Sequence, residues 1–216
     1  MILTGHGDSP LLEKSAIILA GGFSGRLGQD KGLVRLADRP LIKHVLDRTK
    51  DLVDESLVIV SSKVQAETYS KVLGGSVNVL VDNCELHSPL AGVVTGFGQA
   101  RGEYSLLLPC DTPFVSRDIL MLLLELCVNK NAAIPRWPNC YAEPLQAVYR
   151  TKPALEAGRN ALCSGKLNIQ AVVDRLQGVR FISTLVLEQL DPGLKTFFNV
   201  NSVSDLKRAE TMLRCS

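Results

Sequence analysis

The chain reads as a single doubly wound α/β domain with a mostly parallel central sheet, and three observations point there. Short runs rich in Val, Ile and Leu, at 16–19, 57–60, 77–81 and 104–108, have strand length and lack polar alternation, as strands covered on both faces do. Segments of helical length and spacing, 41–53, 65–73 and 90–101, fall between them, which makes three right-handed βα crossovers. At 216 residues with 46% hydrophobic side chains, the chain has the size and apolar content of one core.

The remaining elements follow in order. Residues 1–14 carry Gly5, Gly7, Asp8 and Glu13 rather than a basic stretch followed by an apolar one, so they read as a flexible leader and not as a signal peptide. After Asp111 the pattern changes: 117–130 is a strong helix, and 132–136 and 145–149 are strands punctuated by Pro135, Pro138 and Pro144. Helices are expected at 153–162 and 168–176, a strand at 180–187, and a last helix at 204–213 with Ser202 or Ser204 as its cap. There is no internal repeat, and in particular no hexapeptide pattern of the kind that builds a β-helix.

The segment Leu19-Ala-Gly-Gly-Phe-Ser-Gly-Arg-Leu-Gly-Gln-Asp-Lys31 is the most informative part of the sequence. Gly21, Gly22, Gly25 and Gly28 allow backbone N–H groups to converge on an anion, and Arg26 and Lys31 bring positive charge, so the loop should bind a nucleoside triphosphate. It is not a P-loop, because Gly32 follows Lys31 where that motif needs a hydroxyl residue. Nor is it a dinucleotide fingerprint, because the close G-x-G pair is missing.

Composition narrows the function classes. A net charge of +2 without basic runs gives no nucleic-acid or membrane footprint, and 119–124 is too short and too soon interrupted by Glu125 to span a bilayer. Cys84, Cys110, Cys127, Cys140, Cys163 and Cys215 form no C-x-x-C pair, which fits reduced thiols in a cytoplasm. His6, His44 and His87 lack metal-ligand spacing and receive no catalytic role.

Ligands of open α/β sheets bind beyond the carboxyl ends of the strands, where both the glycine loop and Asp111 should lie. A carboxylate there is a hard donor suited to Mg²⁺, so Asp111 is the expected metal ligand, with Ser116 left to cap the following helix. Asp82 follows the strand at 77–81 and is either a nucleotide contact or a turn residue. Asn199 and Asn201, two apart in an extended segment, present both amides to one face as candidates for the metal or the acceptor.

These motifs together resemble the molybdenum-cofactor guanylyltransferases of the MobA type, within the nucleotidyltransferases that share the L-A-[GA]-G-x-[GS]-x-R-[ML] opening. The resemblance extends through Arg39-Pro-Leu41, Ser88-Pro-Leu-Ala-Gly92, Pro109-Cys-Asp-Thr-Pro113, Glu143-Pro-Leu145, Phe198-Asn-Val-Asn201 and Asp205-Leu206. It implies the Rossmann-like fold of nucleotide-diphospho-sugar transferases, a nucleotide-binding half at 15–115 and an acceptor-binding half at 116–216. It also implies a GTP site at Leu19, Ala20, Gly21, Gly22, Lys31, Asp82 and Asp111, with Mg²⁺ on Asp111. Catalysis of GMP transfer to the terminal phosphate of molybdopterin would rest on Arg26, Lys31 and Asp111, and assembly with cofactor-insertion proteins is in keeping with the family. Gly21 favours the guanylyl members, since cytidylyl and uridylyl relatives carry Ala there. Leu27 in place of Met, Ser61 or Ser62 in place of Asn, and Glu143 in place of His or Gln depart from the pattern. The alternatives are transfer to another phosphorylated acceptor (cobinamide phosphate, phospholactate or a sugar 1-phosphate) or a GTP-binding adaptor without turnover.

Overall fold

The structure is a computed structural model that describes residues 13–21, 23–24, 29–75, 77–82 and 88–214. Its frame begins with β1 (Lys14–Leu19), β6 (Glu55–Val60), β7 (Asn78–Val81) and β8 (Tyr104–Pro109), separated by α1 (Leu41–Thr49), α2 (Lys63–Leu73) and α3 (Pro89–Gln99). Two short antiparallel pairs lie between β1 and α1: β2 (Phe23–Ser24) with β3 (Gln29–Asp30), and β4 (Arg35–Leu36) with β5 (Arg39–Pro40). The chain continues with α4 (Arg117–Cys127), β9 (Ala132–Arg136), β10 (Ala147–Arg150), α5 (Thr151–Cys163), α6 (Gln170–Val173), β11 (Val179–Ser183), α7 (Thr184–Leu187) and α8 (Val203–Arg214).

Seven strands form one sheet in the order β11-β9-β10-β8-β1-β6-β7. All neighbours pair in parallel except β10, which runs against both β8 and β9. The apolar runs alternate between the two faces. Ile18, Val58, Leu106 and Leu108 pack with α1, α2 and α4, whereas Ile17, Leu57, Ile59 and Leu107 pack with α3, α5 and α6. Burying such side chains completely contributes about 1.5–3 kcal/mol each, which explains why a continuous apolar run is favoured in a central strand. Gly96 lets α3 approach closely, since a Cβ there would collide with Ile17. A third cluster joins Val34, Leu36 and Leu41 to Val200 and Ala209, seating α8 on the β4–β5 hairpin.

The structure corrects several expectations. The strand at 77–81 is not covered on both faces: β7 is an edge strand, exposed at Asn78 and half-buried from Val79 to Val81. The expected strand at 180–187 ends at Ser183, whose Oγ accepts from Leu185 N at 3.3 Å and starts α7. The helix at 168–176 contracts to α6, and those at 41–53 and 117–130 end at Thr49 and Cys127, before Asp51 (φ 61°) and Asn129 (φ 59°). Lys14, the last residue of the expected leader, already belongs to β1, and Asp54 accepts from the N–H groups of Glu13 and Lys14 at 2.9 Å. No helix among the described residues is long and apolar enough to cross a membrane.

Candidate active site

The parallel strands end in one cleft of about 560 Å³. Leu19 lines it as the last residue of β1, Gly21 follows β1, Ser61 follows β6, Asp82 follows β7 and Asp111 follows β8, while Glu143 and Gln146 come from the β9–β10 connection. Asn199 and Asn201 both line it from the segment ahead of α8. Ala20 is different: its side chain is fully buried in the core, and its N–H donates to Ile59 O at 2.8 Å. Gly22 and Arg26 lie outside the described residues, as do His6, His87, Cys84 and Cys215. His44 is half-buried, with Nε2 3.0 Å from Leu36 O, and ties α1 to the β4–β5 hairpin.

At the centre of the cleft, Lys31 Nζ stands 3.3 Å from Asp111 Oδ2 and donates to Asn201 Oδ1 at 2.5 Å. Asp111 is 8% exposed, and burial pushes its carboxyl above the usual range, against the pull of Lys31. Ser116 caps α4, accepting from Ile119 N at 3.5 Å, which leaves the Asp111 side chain to the cleft.

Two local devices fix this centre. Ahead of α8, Ser202 and Asp205 form a reciprocal cap: Asp205 N donates to Ser202 Oγ at 3.2 Å, and Asp205 Oδ2 accepts from Ser202 Oγ at 2.7 Å and from Asn201 N at 3.2 Å. The Ser202 hydroxyl holds the Asp205 carboxyl below its usual range. Val200 N donates to Asp111 O at 2.9 Å and lashes this segment to the end of β8.

The second device holds Lys31. Asp30 caps the short 3₁₀ turn Lys31–Leu33 by accepting from Gly32 N at 3.1 Å; Tyr69 OH also donates to it at 2.5 Å, and Gln65 Nε2 at 2.6 Å. Gln65 Oε1 accepts from Ser61 N at 2.9 Å, and Ser61 Oγ donates to Gly21 O at 2.7 Å. One side of α2 thus braces both ends of the glycine loop. The sequence carries one signal of this network, which the expectations above did not include: Gln65 and Tyr69 at helical i, i+4 spacing behind a Ser cap. Burial above all, with the Asp30 carboxylate beside it, pushes the Tyr69 phenol far above its ordinary range, so it stays protonated and donates to Asp30.

Among the described residues no cluster of three or more His, Cys, Asp or Glu side chains could hold a metal ion. What the cleft has is a carboxylate and an amide oxygen, Asp111 Oδ2 and Asn201 Oδ1, converging on one cationic atom. Such hard donors suit a cation like Mg²⁺, which takes its other ligands from water and phosphate.

Residues 16–179 match the family described as "MobA-like NTP transferase domain". A probable molybdenum cofactor guanylyltransferase from Methanosarcina mazei is 35% identical over 199 residues, covering 90% of this chain and 88% of the relative. A molybdenum cofactor guanylyltransferase from Desulfosudis oleivorans is 30% identical over 201 residues, covering 93% and 96%. Among solved structures, molybdopterin-guanine dinucleotide biosynthesis protein A from Archaeoglobus fulgidus superimposes with a TM-score of 0.79 at 26% identity, covering 94% of this chain and 100% of that one. A 2-C-methyl-D-erythritol 4-phosphate cytidylyltransferase from Thermus thermophilus shares the fold, with a TM-score of 0.70 at 21% identity and coverage of 94% and 99%. By this match over most of its length, the chain belongs to the MobA-like NTP transferase family.

Proposed function

We propose that the protein transfers GMP from GTP to the terminal phosphate of molybdopterin, releasing pyrophosphate and forming the guanine dinucleotide cofactor. The observation that carries this reading is Lys31, set between Asp111 and Asn201 at the carboxyl ends of adjacent parallel strands. The names of the relatives support the choice of nucleotide and acceptor.

A phosphate monoester dianion is already a nucleophile, so the residues need to position it and neutralise charge rather than remove a proton. An acceptor phosphate oxygen forms a bond to the α-phosphorus of GTP, the α–β bridging P–O bond breaks, and pyrophosphate leaves with that electron pair. Lys31 exchanges its contacts with Asp111 and Asn201 for phosphate oxygens, and Arg26 in the glycine loop adds a second positive charge. Leu19 and Gly21 border the nucleotide, and Asp82, held by Thr95 Oγ1 at 2.9 Å, borders its far side. Asp111, with Asn201 or Asn199, would hold Mg²⁺, which when bound lowers the electrostatic cost of bringing two phosphates together. Residues 15–115 form the nucleotide half and 116–216 the acceptor half. We place the reaction in the cytoplasm, in keeping with the free thiols of Cys110, Cys127, Cys140 and Cys163.

The test is pyrophosphate release with molybdopterin and each of GTP, ATP, CTP and UTP. Release with GTP alone is expected; preference for CTP or UTP, or release only with another phosphorylated acceptor, would contradict the assignment.

A further inference from the structure

The cleft extends past the phosphate centre along the connection between β9 and β10. Sheet order sets its direction: Asp82 follows β7, the glycine loop and Asp111 follow the neighbours β1 and β8, and Glu143 and Gln146 lie beyond them. A nucleotide at the β6–β7 side with its phosphates at Lys31 leaves this other end for the rest of the acceptor.

The connection is built rigidly. Trp137 N donates to Tyr141 O at 2.8 Å, Cys140 N to Trp137 O at 2.9 Å and Glu143 N to Pro135 O at 2.9 Å, while Arg136 and Ala142 form an antiparallel bridge. Glu143 Oε1 accepts from Trp137 Nε1 at 2.7 Å, and the Trp137 ring packs on Phe197 with centroids 5.5 Å apart. Among the described residues Glu143 Oε2 has no donor, and Gln146 Oε1, sealed from solvent, has none either. Gln146 N donates to Glu143 O at 3.1 Å, so the two acceptor groups share one turn. Tyr141, 61% exposed, lines the same end of the cleft and offers a ring face. The buried Gln146 Oε1 is a costly acceptor without a donor, and the half-buried Glu143 carboxylate beside it is open to the cleft and free to accept from a bound ligand.

We infer that Glu143 and Gln146 form the subsite for the acceptor's ring, accepting from the ring N–H and the adjacent amino group of a 2-amino-4-oxo heterocycle, the donor edge of a pterin. The inference rests on molybdopterin being the acceptor. Guanine carries the same donor edge, and it is the position beyond Asp111 that assigns the subsite to the pterin.

The test is calorimetric titration of the full-length protein with pterin (2-amino-4-oxopteridine) and with lumazine (2,4-dioxopteridine), which differ at position 2, beside titrations with GTP and ITP. Pterin is expected to bind about 10- to 100-fold more tightly than lumazine. Glu143→Gln and Gln146→Leu are expected to weaken that preference and leave the preference for GTP over ITP unchanged. Gln146→Leu also removes an unpaired buried acceptor at similar volume, so its thermal midpoint should hold or rise, which separates binding from folding. Equal or unmeasurable binding of the two pteridines, or variants that keep the preference, overturn the inference. A loss confined to GTP over ITP also overturns it, by giving the subsite to guanine. A protein that prefers pterin yet releases no pyrophosphate with molybdopterin supports the subsite and contradicts the transfer reaction.

Discussion

Lys31 and Asn201 lie 170 residues apart in sequence and meet at 2.5 Å, so the beginning and the end of the fold share one charge centre. Charge-assisted bonds of this kind contribute about 1.5–3 kcal/mol each. Lys31→Ala should therefore lower turnover by about 10- to 100-fold. Asn201→Ala should lower turnover less, since Lys31 keeps Asp111 as a partner and Asn199 lines the same cleft as a second amide for the cation. Steady-state pyrophosphate release measures both, and wild-type turnover in Lys31→Ala would remove Lys31 from the mechanism.

The Tyr69 hydroxyl reaches Asp30 from a fully buried position. Tyr69→Phe deletes a hydrogen bond to a carboxylate, and a stability loss of about 1.5–3 kcal/mol is expected in urea unfolding. Because Asp30 keeps its bonds from Gly32 and Gln65, KM for GTP should rise only modestly. Unchanged stability would mean that Asp30 does not depend on Tyr69.

A methyl group on Gly21 would collide with Ser61 Oγ, which donates to the Gly21 carbonyl. Gly21→Ala should raise KM for GTP, and Ser61→Ala on top of it should recover part of the loss. A double-mutant cycle reads the coupling; strictly additive effects would show that the two positions act independently.

Burial raises the Glu143 carboxyl above its ordinary range, and the Trp137 N–H only partly offsets this. A carboxyl raised on folding contributes stability below its unfolded range and loses it as pH rises through the folded value. Glu143→Gln should thus raise the thermal midpoint at pH 7–8, with the gain fading towards pH 4. Trp137 is the sole tryptophan and donates to Glu143, so its emission should change across the same transition in the wild type and not in the variant.

Asp205 behaves oppositely: bonded to Ser202 and to the Asn201 N–H, its carboxyl is lowered, so its contribution is present above the usual range and is lost as pH falls through the folded value. Ser202→Ala should cost about 0.5–2 kcal/mol by removing the cap. It should also lower turnover, because the cap sets Asn201. Equal turnover would separate the cap from the site.

The central strands could be read in the sequence because Leu106, Leu107 and Leu108 face both helical layers, and only an uninterrupted apolar run satisfies both. Asp111, Asn199 and Asn201 could be read because strand ends and extended spacing dictate direction without tertiary detail. Edge status could not, since Val79–Val81 are as apolar as a central strand and only sheet order exposes them. The end of β11 turned on one Ser183 hydroxyl bonding Leu185 N, which competes locally with strand continuation. The links from Asp30 to Tyr69 and Gln65 join residues of separate elements whose proximity follows from packing, beyond the reach of any local pattern; the Glu143–Gln146 turn is local, with Pro144 at its second position, but which cleft it enters depends on the sheet order.

The most direct measurement follows the labelled α-phosphate of GTP into the molybdopterin product, comparing the wild-type chain with Asp111→Ala. Label is expected in the guanine dinucleotide product of the wild type, with transfer at least about 100-fold slower in the variant, as loss of a charge-stabilising group at the reacting phosphates requires. Equal transfer by the variant, or no label in the product of the wild type, would contradict guanylyl transfer at the Asp111–Lys31–Asn201 centre.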